Sequence, residues 1–142
     1  LDPEGKSFSR LKGSKLLASR PPEDLIVVTG PLGNKAPAGR HIEIADAEGS
    51  FDMSSLLEAL RAEGIHSIFV EAGPYTASQF LRSKRTDRLY LFIAPKLLGD
   101  GLSWTSGFAL DSLSQAVELK DIRTQAFGPD LMITGRPQAR FI

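Results

Sequence analysis

Few residues in this 142-residue chain could do chemistry by their type and spacing, and the densest group lies at Phe69–Pro74, FVEAGP. Glu71 follows Phe69 and Val70 directly, where a run of buried strand residues would end. A carboxylate there is costly to bury unless it is paired or faces a ligand. Gly73 permits close backbone approach, and Pro74 suits the first position of a helix because its missing N–H would be unpaired there anyway. The free backbone N–H groups of Tyr75 and Thr76, with the hydroxyls of Thr76 and Ser78, would then form an anion cradle of the kind that phosphates use. A plain strand-to-helix turn, with Glu71 on a nearby Arg, explains the same residues, and shape alone does not choose between the two. A second loop, FIAPKLLGDG at Phe92–Gly101, offers Lys96 beyond a strand that Pro95 terminates. A solvated lysine at a strand end accounts for it better than a direct catalytic role.

Other chemistry is poorly supplied. There is no Cys, which excludes disulfides, thiolate ligands and a Cys nucleophile and fits a cytosolic protein. His41 and His66 lie on or beside strands without a second ligand at metal spacing, so no metal site is expected. Ser103, Ser106, Ser112 and Ser114 form no nucleophile elbow, and no phosphate-binding glycine fingerprint is present. Lys plus Arg and Asp plus Glu are 17 each, so no net field draws a polyanion and nucleic acid is not an expected partner. No apolar run approaches the roughly 20 residues that span a bilayer, and no membrane partner is expected.

The elements that must position these residues follow from hydrophobic pattern. Leu1–Glu23 reads as an extended connection, entered by the end of a strand at Leu1. Asp24–Thr29 contains Leu25, Ile26, Val27 and Val28, a continuous run closed by Gly30-Pro31, which predicts a strand buried on both faces. Leu32–Arg40 is loop, and His41–Ala45 alternates as a second strand. Asp52 is a candidate cap for a helix whose stripe is Met53, Leu56, Leu57 and Leu60, with Gly64 as a left-handed terminator. Ile65–Val70 reads as another two-faced strand, Tyr75–Lys84 as a helix and Leu89–Ala94 as a third buried strand. Val117–Phe127 and Leu131–Thr134, separated by Gly128-Pro129-Asp130, predict an antiparallel hairpin, although the inward face of the first is not readable. The expected fold is α/β, three layers α/β/α, with a mixed, mostly parallel sheet and a C-terminal antiparallel hairpin.

Taken together, the Leu56/Leu57/Leu60 helix, then GIHSIFVEAGP, then RTDRLYLFIAPKLLGDG resemble the reductase domain of bacterial riboflavin-biosynthesis bifunctional deaminase/reductases, a dihydrofolate-reductase-like family. The resemblance extends over the whole chain. It implies NADPH-dependent reduction of 5-amino-6-(5-phosphoribosylamino)uracil, turning a ribosyl group into a ribityl one. It implies that Glu71 contacts substrate, and that Gly73, Pro74, Tyr75, Thr76, Ala77, Ser78 and Gln79 hold the nicotinamide nucleotide. Leu1-Asp2-Pro3 is similar to the family's Leu-Asp-Ser strand end, with Pro3 in place of a serine near the cofactor. Ala72 stands where many members have Gly. The family also implies a cytoplasmic homodimer and a deaminase domain ahead of the reductase. Residues 1–142 are expected to be a single domain, the later portion of a reductase domain whose first strands are absent. Starting at Leu1, the chain is read as a fragment. Two rival readings keep the fold: a reductase of another pterin or pyrimidine, and a catalytically silent dimerisation or binding module.

Overall fold

The computed structural model describes residues 1–6, 10, 13–32, 40–47, 50–107 and 110–139. The chain divides into two compact units, Leu1–Ile68 and Phe69–Ile142. The expected loop at 32–40 lies largely outside the described residues.

The first unit is organised around a short parallel pair. Strand β1, Ile26–Thr29, pairs in parallel with β2, Arg40–Glu43, in the register Ile26 with Arg40 through Thr29 with Glu43. Val27, Val28 and Thr29 are all buried, as the unbroken apolar run predicts for a strand covered on both faces. Both edges of β1 are used. On the side away from β2, the Asp2 N–H donates to Val28 O at 2.9 Å and the Gly30 N–H donates to Pro3 O at 2.9 Å. Leu1–Pro3 thus runs beside β1 as the strand-end reading anticipated, without forming a strand of its own.

Between Pro3 and β1 the expected extended connection contains a helix. Helix α1, Lys15–Ser19, is capped by Ser14, whose Oγ accepts from the Leu17 N–H at 3.4 Å, and a single 3₁₀ turn at Pro22–Asp24 leads into β1. Five residues buy no amphipathic period that a pattern search could detect, and none of the five is buried. After β2 comes a two-residue antiparallel pair, β3 at Asp46–Ala47 and β4 at Ser50–Phe51.

Helix α2, Met53–Ala62, forms as its stripe predicts. Met53 and Leu56 are buried, and Leu57 and Leu60 are half-buried on the same face. Asp52 caps it through one carboxylate oxygen, which accepts from the Ser55 N–H at 2.8 Å and the Ser55 hydroxyl at 2.7 Å. Gly64, at φ 81°, closes it in a Schellman motif: its N–H donates to Arg61 O at 2.9 Å and the Ile65 N–H to Leu60 O at 3.0 Å. An ion pair between Arg40 and Glu63 links the start of β2 to this helix end. Asp52→Ala removes the cap acceptor and is expected to cost about 1 kcal/mol, read as a lower urea midpoint at constant slope.

Among the described residues, the second unit has an antiparallel sheet, an α-helix packed on it and a 3₁₀ turn at Leu113–Gln115. Helix α3, Pro74–Arg82, starts with Pro74 at its first position and buries Ser78, Phe80 and Leu81. It too ends in a Schellman pattern, here with Lys84 rather than glycine in the left-handed position, at φ 56°. Strand β5, Leu89–Ile93, pairs antiparallel with β7, Asp130–Ala139, which pairs antiparallel with β6, Val117–Phe127, giving the order β5-β7-β6. The terminal hairpin is therefore present, turning at Gly128. Its inward face was unreadable for a physical reason: the register shifts between Lys120 and Arg123, where Asp121 sits at φ 52°. This bulge interrupts the two-residue period, and Ile122 is exposed beside it.

Two strand expectations need correction. Ile65–Val70 is not a strand: no described strand pairs with it, and Ile68, Phe69 and Val70 are exposed. Branched apolar residues supply the composition of a buried strand, but only neighbouring backbones supply its ladder. Leu89–Ala94 does form β5, yet it is not a buried parallel strand. Its described ladder is the antiparallel one with β7, and Tyr90, Phe92 and Ile93 are exposed. Parallel pairing among the described residues is confined to β1 and β2, so the mixed α/β character holds while the described ladders are mainly antiparallel.

Candidate functional site

The expected site falls within the second unit, on the turn that enters α3. Residues 71–73 form no regular element, and Glu71, Ala72 and Gly73 are exposed. The carboxylate of Glu71 is therefore not held in a buried strand end, and burial imposes no need for a partner on it. Nor does an arginine hold it: among the described residues Glu71 takes part in none of the ion pairs, which join Lys6 to Glu4, Arg40 to Glu63 and Arg136 to Asp121. The plain-turn alternative with Glu71 on a nearby Arg thus lacks its arginine among these residues.

Gly73 is the N-cap of α3, with φ −66° and ψ 170°, and no side chain caps the helix. That backbone conformation is open to any residue. A Cβ built at Gly73 would meet nothing within 4 Å, so neither φ nor protein packing demands glycine at this position. Pro74 contributes no N–H, and the N–H groups of Tyr75 and Thr76 lie in the first turn, where an α-helix provides no intrahelical acceptor. Positive partial charge at that end favours an anion. Tyr75 is exposed; Thr76, Ala77 and Gln79 are half-buried.

Ser78 differs from its neighbours. It is 1% exposed, its Oγ donates to Pro74 O at 2.8 Å and accepts from the Ser106 N–H at 2.9 Å. The side chain is turned inward and bonded within the protein. Sequence reasoning missed Ser106, and no signal could have found it, since the contact is a backbone N–H 28 residues away.

The second loop leaves β5 at Ala94 and carries Lys96, Leu97, Leu98 and Leu102, all exposed, with Trp104 half exposed at 51%. Two tilted aromatic pairs flank the strand: Phe69 with Tyr90, centroids 6.3 Å apart, and Phe92 with Phe127 at 5.9 Å. The pairing register places Tyr90 and Phe92 on the same sheet face as Met132, Gln125 and Phe127.

In the first unit one polar contact stands out. Thr29, fully buried at the end of β1, donates from Oγ1 to Gly30 O at 2.8 Å and lies 2.7 Å from His41 Nε2. A hydroxyl has one hydrogen, so with that hydrogen on Gly30 O the imidazole is the donor. This accounts for His41 as an internal bonding partner, and His66 is exposed. No cluster of three His, Asp or Glu side chains arranged for a metal occurs among the described residues, and none of their helices is long and apolar enough to cross a membrane.

Comparison with known proteins agrees with this arrangement of elements. The riboflavin biosynthesis protein RibD of Aquifex aeolicus (strain VF5) is 32% identical over 110 residues, covering 76% of this chain and 30% of that protein. Its counterpart from Escherichia coli (strain K12) is 36% identical over 97 residues, covering 66% and 26%. Among solved structures, RibD of Acinetobacter baumannii matches with a TM-score of 0.73 at 21% identity, over 89% of this chain and 34% of that one. The riboflavin biosynthesis reductase Rib7 of Saccharomyces cerevisiae matches at 0.60 and 24% identity, over 80% and 55%. At these identities the structural matches speak to the fold alone. The chain spans about a third or less of the length of the RibD proteins it matches. A family model described as the RibD C-terminal domain matches residues 9–133, and the chain belongs to that family.

Proposed function

We propose that this chain is part of an NADPH-dependent reductase that converts 5-amino-6-(5-phosphoribosylamino)uracil to its ribitylamino form in riboflavin biosynthesis. The observation that carries the reading is the family match over residues 9–133. The turn into α3 supports it in detail. Its helix start is uncapped by any side chain, and the space beyond Gly73 is open although its backbone angles require no glycine. Glycine is a favoured N-cap in its own right, and at this position it also leaves room for a ligand to approach the backbone closely.

The residues present fit a dinucleotide. The Tyr75 and Thr76 N–H groups would take a phosphate oxygen, the Thr76 hydroxyl would add a donor, and Ala77 and Gln79 would line the same turn. NADPH, when bound, supplies the hydride that reduces the sugar carbon. Glu71, two residues before the N-cap Gly73, would accept hydrogen bonds from the sugar hydroxyls and fix the position of that carbon. Pro3, lacking both N–H and hydroxyl, would give no polar side-chain contact to the cofactor. The same reading carries a three-layer arrangement of the complete domain, a deaminase region ahead of it, a homodimer and a cytoplasmic location.

The test is an assay of the intact protein for consumption of dihydronicotinamide with the ribosylaminouracil phosphate as substrate, and with dihydrofolate as the competing candidate. Turnover of the first and not the second is expected. Activity with neither, with no NADPH binding, would leave the silent-module reading standing. Gly73→Val adds a side chain where a Cβ meets nothing within 4 Å. It is expected to cost less than about 1 kcal/mol of stability and to raise KM for NADPH about tenfold.

A further inference from the structure

Ser78 occupies the middle of the helix whose first turn forms the candidate nucleotide site, yet its hydroxyl is directed away from solvent. One hydroxyl hydrogen and two lone pairs are all it has. The hydrogen goes to Pro74 O, in the helix's own first turn, and one lone pair takes the Ser106 N–H. The first bond alone would be an ordinary serine bonding back to its own helix. The second is not local. The stretch from Ala94 to Gly107 contains no regular element, and Gly99 and Gly107 sit in the left-handed region, at φ 73° and 66°. Its other hydrogen bonds are short-range, from the Lys96 N–H to Ala94 O and between Ser103 and Thr105. Among the described residues, the bond to Ser78 is the one hydrogen bond that ties this stretch to another element.

We infer that Ser78 is a positioning residue: its hydroxyl fastens the loop after β5 to the first turn of α3, and so fixes the wall beside the nucleotide-binding turn. The inference rests on the reductase reading above, and it replaces direct cofactor contact as the role of the Ser78 side chain. Two hydrogen bonds in series connect the Ser106 backbone to the carbonyl of Pro74. Trp104, two residues before Ser106 and half exposed, is carried by the same fastened stretch. Burial at 1% exposure keeps water from competing for the hydroxyl, so the tie is not readily exchanged for solvent.

Replacing Ser78 deletes the tie without touching any group assigned to substrate or cofactor. In the intact protein, Ser78→Ala is expected to raise KM for NADPH about five- to tenfold while kcat changes less than about twofold. Hydrogen exchange at the Ser106 amide should accelerate in the same variant, whereas Ser106→Ala, which keeps the N–H, should match wild type in both measurements. Ser106→Pro removes the donor from the exposed side and is expected to reproduce the KM effect, which keeps the test available if Ser78→Ala does not fold. Unchanged KM in Ser78→Ala, or unchanged exchange at Ser106, overturns the positioning role while leaving the reductase reading intact. A wild-type protein that neither binds nor oxidises NADPH overturns both.

Discussion

Replacing Glu71 with Gln in the intact protein is expected to lower kcat about 10- to 100-fold and to leave KM for NADPH within about twofold. The substitution keeps the side chain's size and one carbonyl acceptor while removing the negative charge. A hydrogen bond to a charged group is worth about 1.5–3 kcal/mol, and a loss of that size in the transition state gives the fold-change stated. Glu71 is exposed at the turn and has no ion-pair partner among the described residues, so the change breaks no salt bridge described there. Its effect on stability should therefore stay within about 0.5 kcal/mol, as for ordinary surface substitutions. The split between kcat and KM is the informative part. Cofactor contacts are assigned to the turn after Gly73, so a rise in KM for NADPH with kcat unchanged would move Glu71 from the substrate to the nucleotide. Unchanged turnover would remove it from the site altogether.

What the sequence could reveal of this site depended on how local the governing interactions are. Pro74 at the helix start, Asp52 as a cap and Gly64 as a left-handed terminator all follow from steric and hydrogen-bonding rules acting within one turn, and all three hold. The Val27–Val28 strand and the Met53/Leu56 stripe were legible because burial imprints a period on the residues themselves. Ile65–Val70 shows the limit of that logic. Its composition is that of a buried strand, but pairing is a property of two backbones, and no described strand supplies the second one. The burial assigned to Glu71 depended on that strand and fell with it. The bulge at Asp121 left its mark only as a broken alternation between Lys120 and Arg123, which reads as noise until the register is known. The tie between Ser78 and Ser106 left no mark at all, because a backbone N–H carries no residue preference. The assignment of the turn as a nucleotide site came from motif order, and the geometry then separated the backbone-facing positions from the inward Ser78.

Leu56→Ala is expected to be the most damaging single truncation in the first unit, at about 2–5 kcal/mol. Leu56 is 0% exposed, and it lies on the buried stripe of α2 with Met53. Three side-chain carbons, one methine and two methyls, would be removed from a site with no solvent to refill it, so a cavity cost adds to the lost transfer energy. Leu97, also a leucine but fully exposed at 102%, is the matched control, and its truncation should change stability by less than about 0.5 kcal/mol. Chemical denaturation followed by two probes gives more than the size of the loss. The protein's one tryptophan, Trp104, lies in the second unit, so its fluorescence reports that unit, whereas far-ultraviolet circular dichroism reports both. If the two units unfold as one cooperative body, Leu56→Ala must shift both transitions by the same amount. If they unfold separately, the dichroism should split and the Trp104 transition should stay where the wild type has it. An unshifted midpoint by both probes would mean that the α2 stripe does not anchor the first unit's core.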